Sequence, residues 1–333
     1  MRLLDHVAQC SAEFVIRENS GVVWRLTGAG DYAQAVARCP LRYVLADELV
    51  RACIELGYSG GAGLAGCIDL VHLPAEQCWI EWDGEVQQEE LIRLLPEWER
   101  PESVSTLRHG VLVCGSASGR VGTFRSFWLP HAEPREPVLG PIETYVDLDA
   151  EASSVSSPDA LFEGEAVSVR DPHNAQVDRL LRCATFRFDP VWQKYYGSMA
   201  KSAALRAEVS RFSLTPAFDI PMLLALFLLM AFRAPLVESP VKPDRLNQKR
   251  VRRGRHPLLP HIEVSCPVFA SEKGLRAAQD SHALKTGPRM HHVRGHIVRR
   301  QGVVFWRRSH WRGHLRLGSV RSRTVTLRLP TTA

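Results

Sequence analysis

The sequence predicts an α+β protein, in which a mixed helical and β-rich body contains a buried apolar helix and carries a basic C-terminal β-hairpin module. Three observations lead to this fold class. Helical and strand patterns both occur in the body, one apolar run has the length of a buried helix, and arginine and histidine mix with β-branched and aromatic residues near the end. At 333 residues the chain is long enough for a sizeable core.

Helical periodicity identifies the α elements. In Ala46–Gly57 apolar residues recur every three or four positions, and a glycine ends the pattern. The same period predicts helices over Asn174–Phe186, Pro190–Phe212 and Pro216–Arg233.

Between the predicted helices Ala46–Gly57 and Asn174–Phe186, the pattern of apolar residues changes to that of strands. Residues 116–120 (SASGR) have the composition of a hairpin loop. Alternating burial predicts that Glu81 lies on the polar face of its strand. Runs rich in β-branched and aromatic residues predict strands over Gly66–Leu73, Cys78–Asp83, His109–Cys114, Thr123–Leu129 and Ile142–Leu148.

The longest apolar run, Met222–Phe232, belongs to the last of the predicted helices. A helix of this length extends only about 16 Å, roughly half the thickness of a bilayer core. We therefore expect a helix that is buried on all sides, with insertion into a membrane as the weaker alternative and no membrane among the partners.

Charge divides the chain into an acidic body, residues 1–240, and a basic connector with a C-terminal module, residues 241–333. Residues 242–333 contain 21 of the 42 Lys and Arg residues but only four of the 36 acids, a formal charge of +17 that leaves −11 on the preceding residues. After Asp280 there are twelve Lys and Arg residues and no acid. A segment of this charge is expected to bind an anionic partner or the acidic body.

The cysteines and the first residues indicate the compartment. The eight cysteines are scattered and form no C-x-x-C pair, which is typical of free thiols in a reducing environment. The first residues, MRLLDHVAQCSAEF, contain acids and polar residues where a signal peptide has an apolar stretch. We expect a cytoplasmic protein.

The C-terminal module holds the candidate binding residues. Its strands are predicted over Met290–Arg299, Val303–Arg307 and Ser319–Leu329, with the turn RRQG between the first two. Arginine binds phosphate through paired hydrogen bonds, and indole rings stack on bases, so RNA or another polyanion is the expected partner. The residues predicted to contact it are Arg289, Arg294, Gly295, His296, Arg299, Trp306, His310, Trp311, Arg312 and Gly313.

Two other functions fit the same segment. Histidines beside a cation can act as general acid and general base without a metal ion. His291, His296 and His310 are therefore candidate catalytic residues of a metal-independent ribonuclease. In the third alternative the module is a non-catalytic adaptor that binds an acidic protein.

Neither a metal site nor a cofactor is predicted. The histidines beyond residue 255 lack the close Cys and His pairs of structural zinc sites. The sequence GAGLAG at residues 61–66 matches the letters of the dinucleotide-binding fingerprint. A helical pattern precedes it and strand patterns follow, however, which reverses the order that the fingerprint requires. A flexible connection between helix and strand is expected there.

Three stretches of the chain form recognisable motifs. The most specific is the H-x-x-R-G-H sequence of His291–His296, followed by the W-x-x-x-H-x-R-G sequence of Trp306–Gly313. The others are Leu73-Pro74 leading into Cys78–Trp82, and the apolar helix followed by the Leu246-Asn247 connector. Together these stretches resemble a family of phage- and plasmid-encoded proteins whose characterised member is a type V anti-CRISPR inhibitor.

This resemblance implies a mobile-element protein that lowers production of the type V effector nuclease in the cytoplasm of a bacterial host cell. Such a protein acts on the nascent effector chain, on its message or on the translating ribosome, with the CRISPR effector as the candidate protein target. The resemblance favours a protein that is not itself an enzyme. The resemblance implies that Arg294, Gly295 and His296, which match the R-G-H part of the family's motif, are functional residues.

Overall fold

The computed structural model describes residues 2–10, 13–17, 23–27, 30–58, 64–95, 106–131, 135–151, 158–193, 215–231, 236–266, 289–293, 296–300, 303–307, 310–312 and 314–320. In the strands between residues 13 and 27 and between 289 and 320, the description concerns the backbone. The chain divides into two compact units, Met1–Phe269 and Ala270–Ala333.

A mixed sheet of eight strands forms the centre of the first unit. Two strands that precede it in the sequence, β1 (Glu13–Arg17) and β2 (Val23–Thr27), form a separate antiparallel hairpin. The strands of the large sheet are β3 (Leu41–Leu45), β4 (Gln77–Asp83), β5 (Thr106–Gly115), β6 (Val121–Pro130), β7 (Val138–Asp147), β8 (Ala184–Phe188), β9 (Val237–Val241) and β10 (His261–Ser265). Their spatial order is β8-β7-β6-β5-β4-β3-β10-β9. β3 runs parallel to β4 and to β10, and the other neighbouring pairs are antiparallel.

The described helices of the first unit are α1 (Leu3–Gln9), α2 (Gly30–Arg38), α3 (Asp47–Tyr58), α4 (Gly84–Leu94), α5 (Ala175–Leu181), α6 (Pro190–Gln193), α7 (Thr215–Ala231) and α8 (Asp244–Arg252), with 3-10 helices at Ala65–Leu70 and Pro158–Glu163. α3 packs against α4, α5 and α7, whereas α1 packs against α2, β4 and β5. These two sets of helices cover opposite faces of the sheet.

Alternation of side chains along the strands connects each face to its helices. The ring of Phe124 on β6 lies 5.9 Å from that of Phe227 on α7. Phe127, on the other face of the same strand, lies 5.4 Å from the ring of Trp79. An added Cβ on Gly110, beside Trp79, would also contact Leu3 of α1. Both faces of the central strands are therefore buried, and the predicted α+β fold class is confirmed.

The apolar helix is buried as the sequence predicts. In α7 the residues from Met222 to Leu229 are between 0% and 2% exposed. α7 also approaches α3 closely, because an added Cβ on Gly57 would lie 2.6 Å from the carbonyl oxygen of Pro221. Among the described residues no helix has both the length and the apolar character needed to cross a membrane.

Two predicted elements differ from the structure. Gly66–Leu73 was expected as a strand, but the 3-10 helix Ala65–Leu70 forms there because α5 and α7 pack against it. The helix expected over Asn174–Phe186 ends at Leu181. Ala184–Phe188 then forms β8, with the alternating burial of a strand that pairs with β7.

Parts of two other predictions lie outside the described residues. The helix predicted over Pro190–Phe212 is described only for Pro190–Gln193, which is helical. The connection predicted around residues 61–66 is described from Leu64 onwards.

The basic connector belongs to the first unit, so the boundary lies later than the expected one after residue 240. Residues 236–266 contribute β9, α8 and β10 to this unit, which extends to Phe269. β10 pairs in parallel with β3, and Val264 and Cys266 are fully buried. The buried pairing of β10 explains why the boundary is later than expected. The basic run that was expected to be a linker connects two strands of the sheet, β9 and β10.

The second unit contains the predicted hairpin. Its described strands are β11 (Arg289–Val293), β12 (His296–Arg300), β13 (Val303–Arg307), β14 (His310–Arg312) and β15 (His314–Val320). β12 and β13 form an antiparallel pair, and β11 lies between β14 and β15 in a three-stranded sheet. The strand expected over Met290–Arg299 is therefore two strands in two sheets. The strand expected over Ser319–Leu329 is described only for its first two residues, which belong to β15, and the rest lies outside the described residues.

The contact between α3 and α7 generates a stability prediction. Gly57→Ala should destabilise the first unit by about 1–3 kcal/mol, because its methyl group would overlap the backbone of Pro221. Gly66→Ala is the matched control, since no atom lies within 4 Å of the added methyl group. Urea denaturation of both variants measures the difference. Equal stability of the two variants would show that α7 does not pack this closely.

Candidate nucleic-acid interface

Seven of the ten predicted contact residues lie on described strands of the second unit. Arg294, Gly295 and Gly313 fall outside the described residues. The others are distributed over β11 to β14, and are Arg289, His296, Arg299, Trp306, His310, Trp311 and Arg312.

The pairing of β11 with β14 brings two candidate histidines and an arginine together. His291 lies directly opposite Arg312, and Val293 lies opposite His310. Residues that face each other across a ladder, or that lie two apart along a strand, share one face of a sheet. His291, His310 and Arg312 therefore share a face. On the other face His292 is paired with Trp311.

The remaining predicted residues lie in the β12–β13 hairpin. His296 is opposite Arg307, and Trp306 is opposite Ile297. Arg299 is opposite Val304 in the same ladder. Strand pairing thus brings His291 and His310 into one sheet and places His296 in another.

Among the described residues of the first unit, three groups of buried polar side chains form networks that the sequence analysis did not predict. The first lies between the sheet and the α3–α4–α7 layer. The indole of Trp82 and the side chain of His109 both contact Oε1 of Gln87, at 2.7 and 3.2 Å. Nε2 of Gln87 donates to Oδ1 of Asp219 at 2.8 Å. Nε2 of His109 lies 3.3 Å from Oδ2 of Asp219, and neither atom has a hydrogen-bond partner among the described residues.

This His109–Asp219 pair is uncharged at neutral pH. Burial raises the pKa of Asp219 to about 8, and burial lowers the pKa of His109 to about 3. The side chains are 4% and 2% exposed. A substrate cannot reach the pair through the packed layer, so we interpret it as a structural contact of α7 with the sheet.

The second group lies on the opposite face, on β6, β7 and β8. Arg125 pairs with Glu143 and donates from Nε to Asp189 at 3.1 Å. Arg187 donates to the second oxygen of Glu143 at 2.7 Å. The hydroxyl of Tyr32 donates to Asp189 at 3.0 Å, and its ring lies 4.8 Å from the guanidinium carbon of Arg125. Burial and the adjacent Asp189 raise the pKa of Tyr32 to about 12. Each charge has an opposite partner, which is typical of an internal ion-pair network.

The third group corrects the prediction that Glu81 lies on a polar face. Glu81 is fully buried, because α1 covers this face of β4. Its carboxylate accepts hydrogen bonds from the backbone N–H groups of Leu3 and Leu4, at 3.0 and 2.9 Å. It also accepts from Nε of Arg108 at 3.0 Å and from the indole of Trp79 at 3.3 Å. Glu81 therefore holds α1 on the sheet.

One small cavity lies among the described residues of the first unit. It has a volume of about 100 Å³ and is lined by residues that include Asp149, Arg182 and Cys183. Pockets for small molecules have volumes of roughly 300–1,000 Å³. Within the described part of the chain, no group of three His, Cys, Asp or Glu residues could hold a metal ion.

Comparisons with protein-family models, with curated proteins and with solved structures found no match to this chain.

The buried Asp219 generates a prediction on pH dependence. The fold keeps a proton on Asp219 that the unfolded chain releases above about pH 4. Asp219 therefore lowers the free energy of unfolding by an amount that increases between about pH 4 and pH 8. Above pH 8 this amount is constant. Asp219→Asn should raise the free energy of unfolding at pH 7 by about 1–3 kcal/mol.

The measurement is thermal or urea unfolding of wild type and variant between pH 5 and pH 9. The stability difference between them should grow up to about pH 8. Asp31→Asn, at an exposed position of α2, is the control and should show no such trend. A variant that is less stable than wild type at every pH would show that Asp219 is ionised in the fold.

Proposed function

We propose that the protein binds RNA through its basic C-terminal module and has no catalytic activity of its own. The observation that carries this proposal is the charge of the module, in which twelve Lys and Arg residues follow Asp280 without one acid. Neutralising phosphates with such residues releases counterions, which supplies most of the free energy of nonspecific binding. The strand register supports the proposal, because it aligns Arg312 with His291 and His310 on one face of a sheet.

A narrower proposal concerns the biological role. The resemblance of His291–His296 and Trp306–Gly313 to the phage and plasmid family supports inhibition of type V effector production in a bacterial host. In this role the bound RNA belongs to the effector message or to the ribosome that translates it. An adaptor for an acidic protein is the alternative without RNA.

Ribonuclease activity is the second candidate function, and one observation favours it. Acid–base cleavage of RNA requires two proton-transfer groups beside a cation. His291, His310 and Arg312 share a face of the β11–β14 ladder, whereas His296 lies in the other sheet. If the protein cleaves RNA, the first two histidines are therefore the candidate acid and base.

RNA affinity of the full-length protein tests the main proposal. The logarithm of the binding constant should fall with the logarithm of salt concentration, with a slope of several units. Arg312→Gln should weaken binding about fivefold at 0.1 M salt and reduce that slope by about 0.7, the value for one phosphate contact on a single strand. Arg38→Gln, an exposed arginine on α2, is the control. Binding that does not respond to salt would contradict the proposal.

Incubation with labelled RNA in EDTA separates binding from catalysis. We expect no cleavage by the purified protein, and we expect His291→Gln to affect RNA affinity less than Arg312→Gln. Cleavage that falls by about two orders of magnitude or more in His291→Gln would establish the ribonuclease instead, since this is the usual contribution of one acid–base group.

A further inference from the structure

The basic helix α8 is an ordered element without a hydrophobic contact surface. None of its nine residues is buried, and Leu246 and Val251 are 50% and 60% exposed. It connects β9, the edge strand of the large sheet, to β10. A surface helix normally packs an apolar stripe against the protein, so a helix that is exposed on nearly all sides requires another explanation.

Local hydrogen bonds hold α8 in place instead. The side chain of Asn247 donates to the carbonyl of Leu258 at 2.9 Å and accepts from the N–H of the same residue at 2.8 Å. At the C-terminal end Gly254 has a φ of +66°, and the N–H of Arg255 donates to the carbonyl of Arg250 at 2.9 Å. This is the Schellman arrangement that ends helices at a glycine. The helix is thus fixed to the first unit before any partner binds.

Three of the cations of α8 lie on the side that faces away from its attachment. With 100° per residue, Arg245, Lys249 and Arg252 fall within an arc of about 60°, on the side opposite Asn247. They are spaced about 6 Å and 4.5 Å along the helix axis. All three are exposed, and none has a hydrogen bond or ion pair with a described residue.

This arrangement weakens the isolated helix. Like charges three or four residues apart on a helix repel each other. Arg245 and Lys249 are four apart, and Lys249 and Arg252 are three apart. A row of cations that has no partner within the described part of the protein, on a helix that is otherwise anchored, has the features of a binding surface for an anion.

We infer that α8 binds the phosphate backbone of RNA through the row of Arg245, Lys249 and Arg252. This inference rests on the proposed function and adds a second contact, on the first unit, to the one in the C-terminal module. A row of cations matches a linear polyanion, because successive phosphates can meet successive side chains. Protein interfaces are depleted in acidic residues, so the acidic protein surface that this row would need is an uncommon partner.

The test compares two double variants of the full-length protein. Arg245→Gln/Arg252→Gln removes the two ends of the row. Arg38→Gln/Arg179→Gln is the matched control, because it removes the same two charges from exposed positions on α2 and α5. Circular dichroism and thermal unfolding confirm that both variants are folded. Fluorescence anisotropy with a labelled single-stranded RNA of about 20 nucleotides measures the affinity.

For the α8 variant we expect the affinity at 0.1 M salt to fall about 10- to 25-fold and the salt slope to decrease by about 1.4, the values for two phosphate contacts. The control variant should change less than threefold. Equal effects of the two variants, with wild type still binding RNA, would overturn the role of α8 and leave the proposed function intact. No RNA binding by wild type would overturn both.

Two competing probes decide the class of partner. Duplex DNA of about 20 base pairs and a poly-glutamate peptide are titrated under the same conditions. RNA should bind at least as tightly as duplex DNA and more tightly than poly-glutamate. The α8 variant should lose most of the advantage over poly-glutamate, because the row contacts phosphates. Tighter binding of wild type to duplex DNA or to poly-glutamate would contradict RNA as the occupant of α8.

Discussion

The burial of α7 is the constraint on which the rest of the first unit depends. Eight consecutive residues, Met222–Leu229, are removed from water, and each large apolar side chain contributes about 1.5–3 kcal/mol. A helix that is apolar all round needs a neighbour on every side. The sheet and α3 and α5 provide these neighbours, and the same layer excludes water from His109 and Asp219.

The first unit uses its buried acids internally and leaves basic residues exposed at one edge. Glu81 binds the backbone of α1, and Glu143 and Asp189 share Arg125. These acids cannot bind the basic segment, although they contribute to the acidic charge of the body. The row of Arg245, Lys249 and Arg252 on α8 has no such partner among the described residues. The proposed RNA partner supplies neutralising charge to both α8 and the C-terminal module.

The elements with a clear period could be predicted from the sequence, whereas the contacts between them could not. α3, α7 and β4 to β7 follow their hydrophobic patterns closely. Glu81 was predicted on a polar face because it alternates with Ile80 and Trp82 as in a half-exposed strand. It is buried by α1, which is far away in the sequence and therefore leaves no local signal. The basic run around α8 was predicted to be a linker. The pairing of β10 with β3 joins residues far apart in the sequence, and such pairing cannot be recognised from the local sequence pattern.

Ultraviolet crosslinking of the full-length protein to RNA, followed by mapping of the crosslinked peptides, tests the central claim most directly. The claim that this protein binds RNA through its basic C-terminal part predicts crosslinks within residues 289–316 and at or beside α8, and their loss at high salt. Crosslinks confined to the acidic residues 1–235, or none at low salt, would contradict it.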